Sequence, residues 1–207
     1  IQYNKAFKGG HSLNALAGYS WNKNNNQEAF MDNYNFPTDD YSYNNMAAGT
    51  ALKDGKATEK TYQEEYKLVG YFGRINYNYQ GKYYLSASIR HEGSSKFGAD
   101  HKWGTFPAVS IGWNLKEESF LKNVNFLSFL KLRAGYGITG TIPGNPYLSL
   151  NTLDLGGYGY YGGQWTTLLR ASSNPNPDLR WEKKKETNIG FDFAFFNDRI
   201  SGSIDWY

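Results

Sequence analysis

The three histidines are the residues best suited to metal binding or proton transfer, and their spacing supports neither. His11, His91 and His101 lie far apart, and the chain has no cysteine. A zinc site needs several ligands at short spacing. The pair Asp39-Asp40 offers two carboxylates, whereas Ca²⁺ takes six to eight oxygens, and Ser94-Ser95 has no base beside it in the sequence. We therefore predict that the protein is not an enzyme, and the sequence implies no metal and no cofactor.

The segment 156–165 is the strongest candidate for ligand contact, because it combines several glycines with several aromatic residues. Its four large aromatic residues are Tyr158, Tyr160, Tyr161 and Trp165. Flat apolar ring faces suit the stacking of sugar rings, and polar tips at Tyr and Trp provide hydrogen bonds. These four residues are therefore candidates for ligand contact. The interpretation that we prefer is that the rings pack among loops or against a partner protein.

Apolar and polar residues alternate along most of the chain, which predicts β-strands because successive side chains of a strand point to opposite faces. In the stretch 13–22, for example, Leu13, Ala15, Ala17, Tyr19 and Trp21 alternate with small or polar residues. The pattern indicates about seven strands, at 11–22, 67–79, 85–90, 108–115, 131–138, 189–195 and 200–206. Residues 117–129 are the only stretch that looks helical, and briefly so.

The predicted connections alternate between short and long. Residues 8–10, 80–82 and 197–199 are tight turns, whereas 23–66, 91–104 and 140–185 are long, polar and rich in Gly and Asn. Short periplasmic turns and long extracellular loops are typical of outer-membrane β-barrels. A mean hydropathy of −0.68 is compatible with a barrel, since only alternate residues face lipid. The fold class predicted is all-β, an antiparallel transmembrane β-barrel segment.

The basic residues of the strands fall on the polar face, which would be the lumen of such a barrel. They are Arg74, Arg90, Lys131 and Arg133, with Asp192 on the same face. At the lipid face near the bilayer midplane, an Arg or Lys would cost roughly 2–4 kcal/mol. Aromatic residues near strand ends suit the membrane interface; they are Trp21, Tyr77, Tyr79, Tyr83, Trp113, Trp206 and Tyr207.

Four stretches carry recognisable motifs: SIRHEGSSKFG at 88–98, HKWGTFPAVSIGW at 101–113, LKLRAGYGITG at 130–140 and NPDLRWEK at 176–183. In this order they resemble motifs of the SusC/RagA-type TonB-dependent outer-membrane transporters of Bacteroidetes, and the resemblance covers roughly residues 66–207. His91 replaces the more usual Asp of the first motif. Each motif is short, but their shared order makes the resemblance specific.

The resemblance implies a location in the outer membrane and a transport function without chemical change of the ligand. Members of the family have a plug domain inside a barrel of about 22 strands. They import glycan fragments or peptides with TonB-transmitted energy, and they commonly pair with a SusD-like surface lipoprotein. Residues 1–207 would then be an incomplete part of the barrel domain, without the plug and the TonB-contacting segment. The resemblance makes Arg74, Arg90, Lys131 and Arg133 candidates for facing the lumen or the plug.

Two other classes of protein remain open on the sequence alone. Alternating strands also build a soluble β-sandwich, which would bind glycans through loops such as 156–165. A passive porin-like barrel would share the same strand pattern. A formal net charge of +3 and the absence of a broad basic face predict no nucleic-acid partner. The two open edges of a partial barrel predict that the chain does not fold as a working transporter alone.

Overall fold

The structure, a computed structural model, describes residues 1–41 and 44–207. They form two compact units, which are described separately. The larger unit contains Ile1–Asn22 and Lys67–Tyr207, and the smaller contains Lys23–Tyr66. Within the described residues no helix is long and apolar enough to cross a membrane.

The larger unit is built on one open sheet of eight strands. The strands are β1 (Gln2–Phe7), β2 (His11–Asp32), β3 (Thr58–Tyr79), β4 (Tyr83–Ser94), β5 (Trp103–Asn114), β6 (Leu127–Thr141), β9 (Glu182–Phe195) and β10 (Ile200–Trp206), in that spatial order. Strands β7 (Leu153–Tyr161) and β8 (Gln164–Ala171) form a separate hairpin between β6 and β9. Strands β1 and β10 are the outermost strands of the sheet.

The strand register separates apolar from polar residues onto opposite faces of the sheet. One row of aligned residues is apolar: Tyr77, Leu85, Ile111, Ala134 and Ile189. The adjacent row is polar or small: Asn76, Ser86, Ser110, Gly135 and Asn188. A slip of one residue in any strand would exchange the two faces, so the alternation itself specifies the register. The apolar side is called the outer face below, and the polar side the concave face.

The prediction of alternating strands is confirmed, but the extent of strand structure was underestimated. Strand β1 and the hairpin β7–β8 were not predicted. The segment 23–66 was predicted to be a polar loop, which is wrong for 23–32 and 58–66, because β2 and β3 contain 22 residues each. Residues 42–43 of that segment lie outside the described residues. Trp21 was placed near a strand end, whereas β2 continues to Asp32.

The short connections lie where the sequence predicts them. Gly9 and Gly10 both have φ +85, a backbone conformation that glycine adopts without strain, in the turn between β1 and β2. The connection between β5 and β6 holds a 3-10 turn at Leu115–Glu117 and the single-turn helix α1 (Ser119–Lys122). The predicted helical stretch 117–129 is therefore confirmed only in its first part, because β6 begins at Leu127.

The smaller unit contains the polar ends of β2 and β3 and the segment that joins them. The Lys23 ammonium lies 2.7 Å from the Glu65 carboxylate. The Asn33 amide donates to the carbonyls of Met46 and Gly49 at 2.7 and 3.0 Å, and its oxygen accepts from the Leu52 amide at 3.1 Å. The Asn33 side chain thereby connects the start of the joining segment to three residues that come later in it.

Candidate functional site

Aromatic rings line the outer face near the ends of the sheet that carry the long connections. The ring centroids of Tyr19 and Tyr71 are 5.3 Å apart, those of Tyr71 and Trp103 are 6.3 Å apart, and His91 stacks on Trp103 at 4.8 Å. These four rings, called the upper girdle here, come from four neighbouring strands. Amphipathic rings in such a row suit a membrane–water interface.

A second row of rings lies at the short-turn end of the same strands. His11 stacks on Tyr79 at 4.5 Å, and Tyr83 lies 6.2 Å from both Tyr79 and Trp113. These four residues form the lower girdle. The His11 ring nitrogen also hydrogen-bonds the Tyr77 hydroxyl at 2.6 Å. His11 and His91, whose spacing in the sequence does not suit a metal site, are therefore members of the two aromatic rows.

Glu118 fixes the lower girdle from the β5–β6 connection. Its carboxylate accepts from the Tyr83 hydroxyl at 2.6 Å and from the Trp113 indole at 3.1 Å, and the Lys82 ammonium lies 3.4 Å away. The hydrogen bond from Tyr83, and then the one from Trp113, hold the pKa of Glu118 below its ordinary value. One carboxylate thereby joins β4, β5 and the connection that precedes β6.

The distance between the two girdles is close to the height of the apolar band of an outer-membrane barrel, which is about 25 Å. Tyr71 and Tyr79 are eight residues apart on β3, which is about 26 Å along a strand and about 20 Å along the membrane normal at a tilt near 40°. Between the girdles, the outer face of β2–β6 has no charged side chain, and residues such as Ile75, Ile89 and Ile111 are half exposed. The outer face therefore has the dimensions and composition of a lipid-facing barrel surface.

Neutral hydrogen-bonding side chains cover the lower half of the concave face. Asn14 donates to Asn4, Asn76 donates to Asn14 at 3.2 Å, and Ser86 donates to Asn76 at 2.8 Å. This chain of bonds crosses β1 to β4 in one direction. It borders a depression of about 760 Å³ whose lining also includes Ser110. The arrangement presents amide and hydroxyl groups to the interior.

The four predicted lumen-facing basic residues lie on the concave face, but they differ in their partners. Arg133 donates two bonds to Asp192, at 2.8 and 2.9 Å, and lies 3.1 Å from Asp205. Arg90 donates to Glu92 at 2.6 and 2.9 Å. The Lys131 ammonium lies 4.4 Å from the centroid of the Tyr84 ring. Arg74 is exposed, and its side chain makes no hydrogen bond or ion pair with any other described residue.

The family-like motifs converge on one buried cluster at the long-connection end of the sheet. This rim knot consists of the buried Phe97, Phe106 and Trp181, against which Ile138, Ile142 and Leu179 pack. Phe97 lies 4.8 Å and Phe106 lies 5.1 Å from Trp181 between ring centroids. Burial of one such ring contributes roughly 1.5–3 kcal/mol, so the knot fastens two long connections, β4–β5 and β6–β9, to strands β5 and β6 of the wall.

The polar residues of the first motif fix the backbone around the rim knot. Lys96 is buried, and its ammonium donates to the carbonyls of Pro143 and Gly144 at 3.0 and 2.6 Å. The Gly98 amide donates to the Leu179 carbonyl at 3.0 Å. A Cβ on Gly98 would overlap the carbonyl oxygen of Pro177, so this close approach requires glycine. Both ends of the connection that carries β7–β8 are thereby attached to residues 96–98.

The hairpin β7–β8 presents the predicted aromatic residues unequally. Tyr160 pairs with Trp165 in a T-shaped contact at 5.6 Å, and Tyr158 lies on the same face, whereas Tyr161 points to the opposite face by register. The apolar face of the hairpin, called the hairpin face here, contains Leu153, Leu155, Tyr158, Tyr160, Trp165 and Leu169. These six side chains are between 62% and 75% exposed. The structure thus brings three of the four predicted residues together.

Three functional features were missed by sequence reasoning. Glu118 and Lys96 act through contacts with residues distant in sequence: Glu118 accepts from Tyr83, 35 residues away, and Lys96 donates to Pro143 and Gly144, 47 and 48 residues away. The leucines of the hairpin face were overlooked because two glycines at a β-bulge interrupt their alternation. A search for two short apolar runs around Gly162-Gly163 is the signal that would have found the hairpin. No group of three potential metal ligands occurs within the described residues.

The comparisons with known proteins agree with this geometry. The model of the family described as TonB dependent receptor-like, beta-barrel, matches residues 1–207. TonB-dependent receptor P3 of Formosa agariphila is 36% identical over the whole chain, and TonB-dependent receptor SusC of Bacteroides thetaiotaomicron is 44% identical over 74% of it. The chain spans 20% and 16% of the lengths of these relatives.

Solved structures give the same result. The structure of the RagAB peptide transporter aligns with 99% of this chain at a TM-score of 0.87 and 25% identity, and 22% of that chain is covered. The RagAB peptide importer in the closed-closed state aligns at a TM-score of 0.86. The soluble-sandwich alternative is therefore wrong, and the long connections of the wall are extracellular and its short turns periplasmic. The chain belongs to the TonB-dependent receptors of the SusC/RagA type, outer-membrane proteins that are not enzymes, and it is a stretch of their β-barrel wall.

Proposed function

We propose that this chain is part of the wall of an energised outer-membrane importer that takes up glycan fragments or peptides. The observation that supports this proposal is a sheet with an apolar outer face between two aromatic girdles and a polar concave face. Such a wall lets a polar solute pass without contact with lipid. The 207 residues would form part of the barrel domain, while the plug and the TonB-contacting segment would lie elsewhere in the polypeptide.

An uptake experiment on intact cells tests this proposal against a passive barrel. Labelled oligosaccharide and oligopeptide mixtures would be offered to cells with and without the gene, before and after the proton gradient is collapsed. We expect gene-dependent accumulation that stops when the gradient is lost, because TonB transmits energy from the inner membrane. Gene-dependent entry that continues without the gradient would identify a passive porin-like barrel instead.

The hairpin face supports a proposal about the partner. Its six exposed side chains include three leucines, and Thr167 is the polar residue opposite Tyr158. Sugar-binding surfaces need several hydrogen-bonding groups beside the ring, whereas a contiguous exposed apolar patch larger than a few hundred Å² marks a surface that a protein partner covers. We therefore favour contact with a SusD-like surface lipoprotein over direct contact with the ligand.

Two matched substitutions in the full-length transporter test the partner. Trp165→Ala removes an anchor of the hairpin face, and Tyr161→Ala removes a ring of similar exposure from its opposite face. We expect Trp165→Ala to weaken co-purification of the lipoprotein at least tenfold, as loss of a central aromatic contact does, and Tyr161→Ala to leave it unchanged. Intact co-purification with reduced uptake would instead assign the hairpin face to the ligand.

A further inference from the structure

Within the described residues, the Arg74 side chain has neither an acidic partner nor a ring contact, whereas Lys131, which also has no acidic partner, lies against the Tyr84 ring. Arg133 lies between two aspartates, Arg90 is paired with Glu92, and Lys184 lies 3.1 Å from Glu186. A guanidinium that faces the interior of a barrel is costly to desolvate unless a counter-charge accompanies it. Within the part of the chain that the structure describes, no acidic group supplies that counter-charge for Arg74.

The surroundings of Arg74 leave room for a ligand. Ser88 is its direct partner on β4, and the next residue in that row is Ala108 on β5. These residues border a depression of about 540 Å³ whose upper wall includes Phe72 and Phe106. Small residues beside the guanidinium allow another group to approach the wall, while the aromatic rings offer apolar contact to whatever carries that group.

The nearby carboxylate of Glu92 does not oppose an incoming anion. It accepts two hydrogen bonds from Arg90, at 2.6 and 2.9 Å, so its charge is neutralised. Arg90 also lies against the Phe72 ring at 5.9 Å, which holds its guanidinium toward Glu92. Arg74 is then the uncompensated charge that this depression presents to the lumen.

We infer that Arg74 forms a carboxylate-binding subsite on the concave wall, with the Ser88 hydroxyl as a second hydrogen-bond donor. A planar guanidinium binds a carboxylate through two parallel bonds, a geometry that lysine does not reproduce. The inference rests on the proposed function, because it requires the concave face to line the transport lumen. The carboxylate belongs either to a solute or to an acidic side chain of the same polypeptide outside these 207 residues.

Thermal unfolding of the purified full-length transporter in detergent distinguishes the two sources without any uptake measurement. The Tm would be measured for wild type, Arg74→Gln, Arg74→Lys and the control Arg199→Gln. Each protein would be unfolded with succinate, with its neutral analogue succinamide, and without either. Arg199 is an exposed arginine in the turn before β10, so its substitution removes the same charge elsewhere.

If the carboxylate is a side chain of the protein, Arg74→Gln lowers the Tm and Arg74→Lys lowers it less. Succinate then leaves the Tm of the wild-type protein unchanged. If the subsite is open to solutes, succinate but not succinamide raises the wild-type Tm, and Arg74→Gln abolishes that shift. Unchanged Tm and unchanged response to succinate in Arg74→Gln would overturn the inference. That result would leave the import proposal untouched, because gradient-dependent uptake is measured separately.

Discussion

Glu118 illustrates how a single residue outside the strands stabilises the membrane-spanning wall. It accepts hydrogen bonds from Tyr83 and Trp113 and lies beside Lys82, so ionisation of this carboxylate and formation of the lower girdle favour each other. Its pKa is lowered in the folded protein. A group with a lowered folded pKa stabilises the fold fully above its unfolded pKa and loses that contribution as the pH falls through the folded value.

The stability of the wild-type transporter should therefore fall on acidification below the ordinary glutamate pKa of 4.5, and Glu118→Gln should reduce this part of the pH dependence. The measurement is Tm of the full-length protein in detergent across neutral to acidic pH. Glu117→Gln is the matched control, since Glu117 lies outside this hydrogen-bond network. Parallel pH profiles for wild type and Glu118→Gln would show that the girdle does not depend on the carboxylate.

At the scale of the element, the outer face of each central strand must stay uncharged. Val109 lies near the middle of β5, between the upper and lower girdles, and is 44% exposed. Val109→Arg should destabilise the inserted barrel by roughly 2–4 kcal/mol, because the charge would face the hydrocarbon near the bilayer midplane. Urea unfolding of the full-length protein in lipid vesicles measures this difference.

Val109→Leu is the control for that substitution, because it enlarges the side chain without adding charge. It should change the unfolding free energy by less than about 1.5 kcal/mol. Equal destabilisation by Arg and Leu would mean that side-chain volume, and not lipid exposure, limits this position, and the assignment of the outer face would then be wrong.

The same elements explain how much of the fold was predictable. Strands with one lipid-facing side, such as β5, alternate strictly, so their position and their faces follow from the sequence. The outer half of β2 has polar residues on both faces, as in Asn22 to Asn26, and its strand structure therefore left no period-two signal. Strand β1 was not predicted for a related reason, because Lys5 interrupts the apolar face of that strand.

The candidate site was predictable in type and not in detail. Alternation placed Arg74 and Arg133 on the polar face, but only the register brings Asp192 and Asp205 to Arg133 and leaves Arg74 open. Such pairing depends on residues 59 and 72 positions away. Similarly, the motifs around Phe97 and Trp181 were recognisable as a family pattern, whereas their meeting in one buried knot is a property of the folded wall.

At the scale of the whole molecule, the sheet exposes both its apolar outer face and its two edge strands. Ile75, Ile89 and Ile111 are each at least 50% exposed on a continuous apolar surface, and soluble proteins rarely expose apolar patches beyond a few hundred Å². The unpaired backbone groups of β1 and β10 add edges that pair readily with other chains. Both features oppose a soluble monomer.

Residues 1–207 expressed alone should therefore aggregate in aqueous buffer and become β-rich and dispersed only in detergent. Size-exclusion chromatography with circular dichroism measures both properties. The smaller unit, residues 23–66, serves as a control, because most positions of its strand segments are polar on both faces and a peptide of these residues should stay soluble. A folded, monomeric 207-residue chain in buffer would mean that its apolar face is covered within the chain, and the lipid-facing assignment would have to be abandoned.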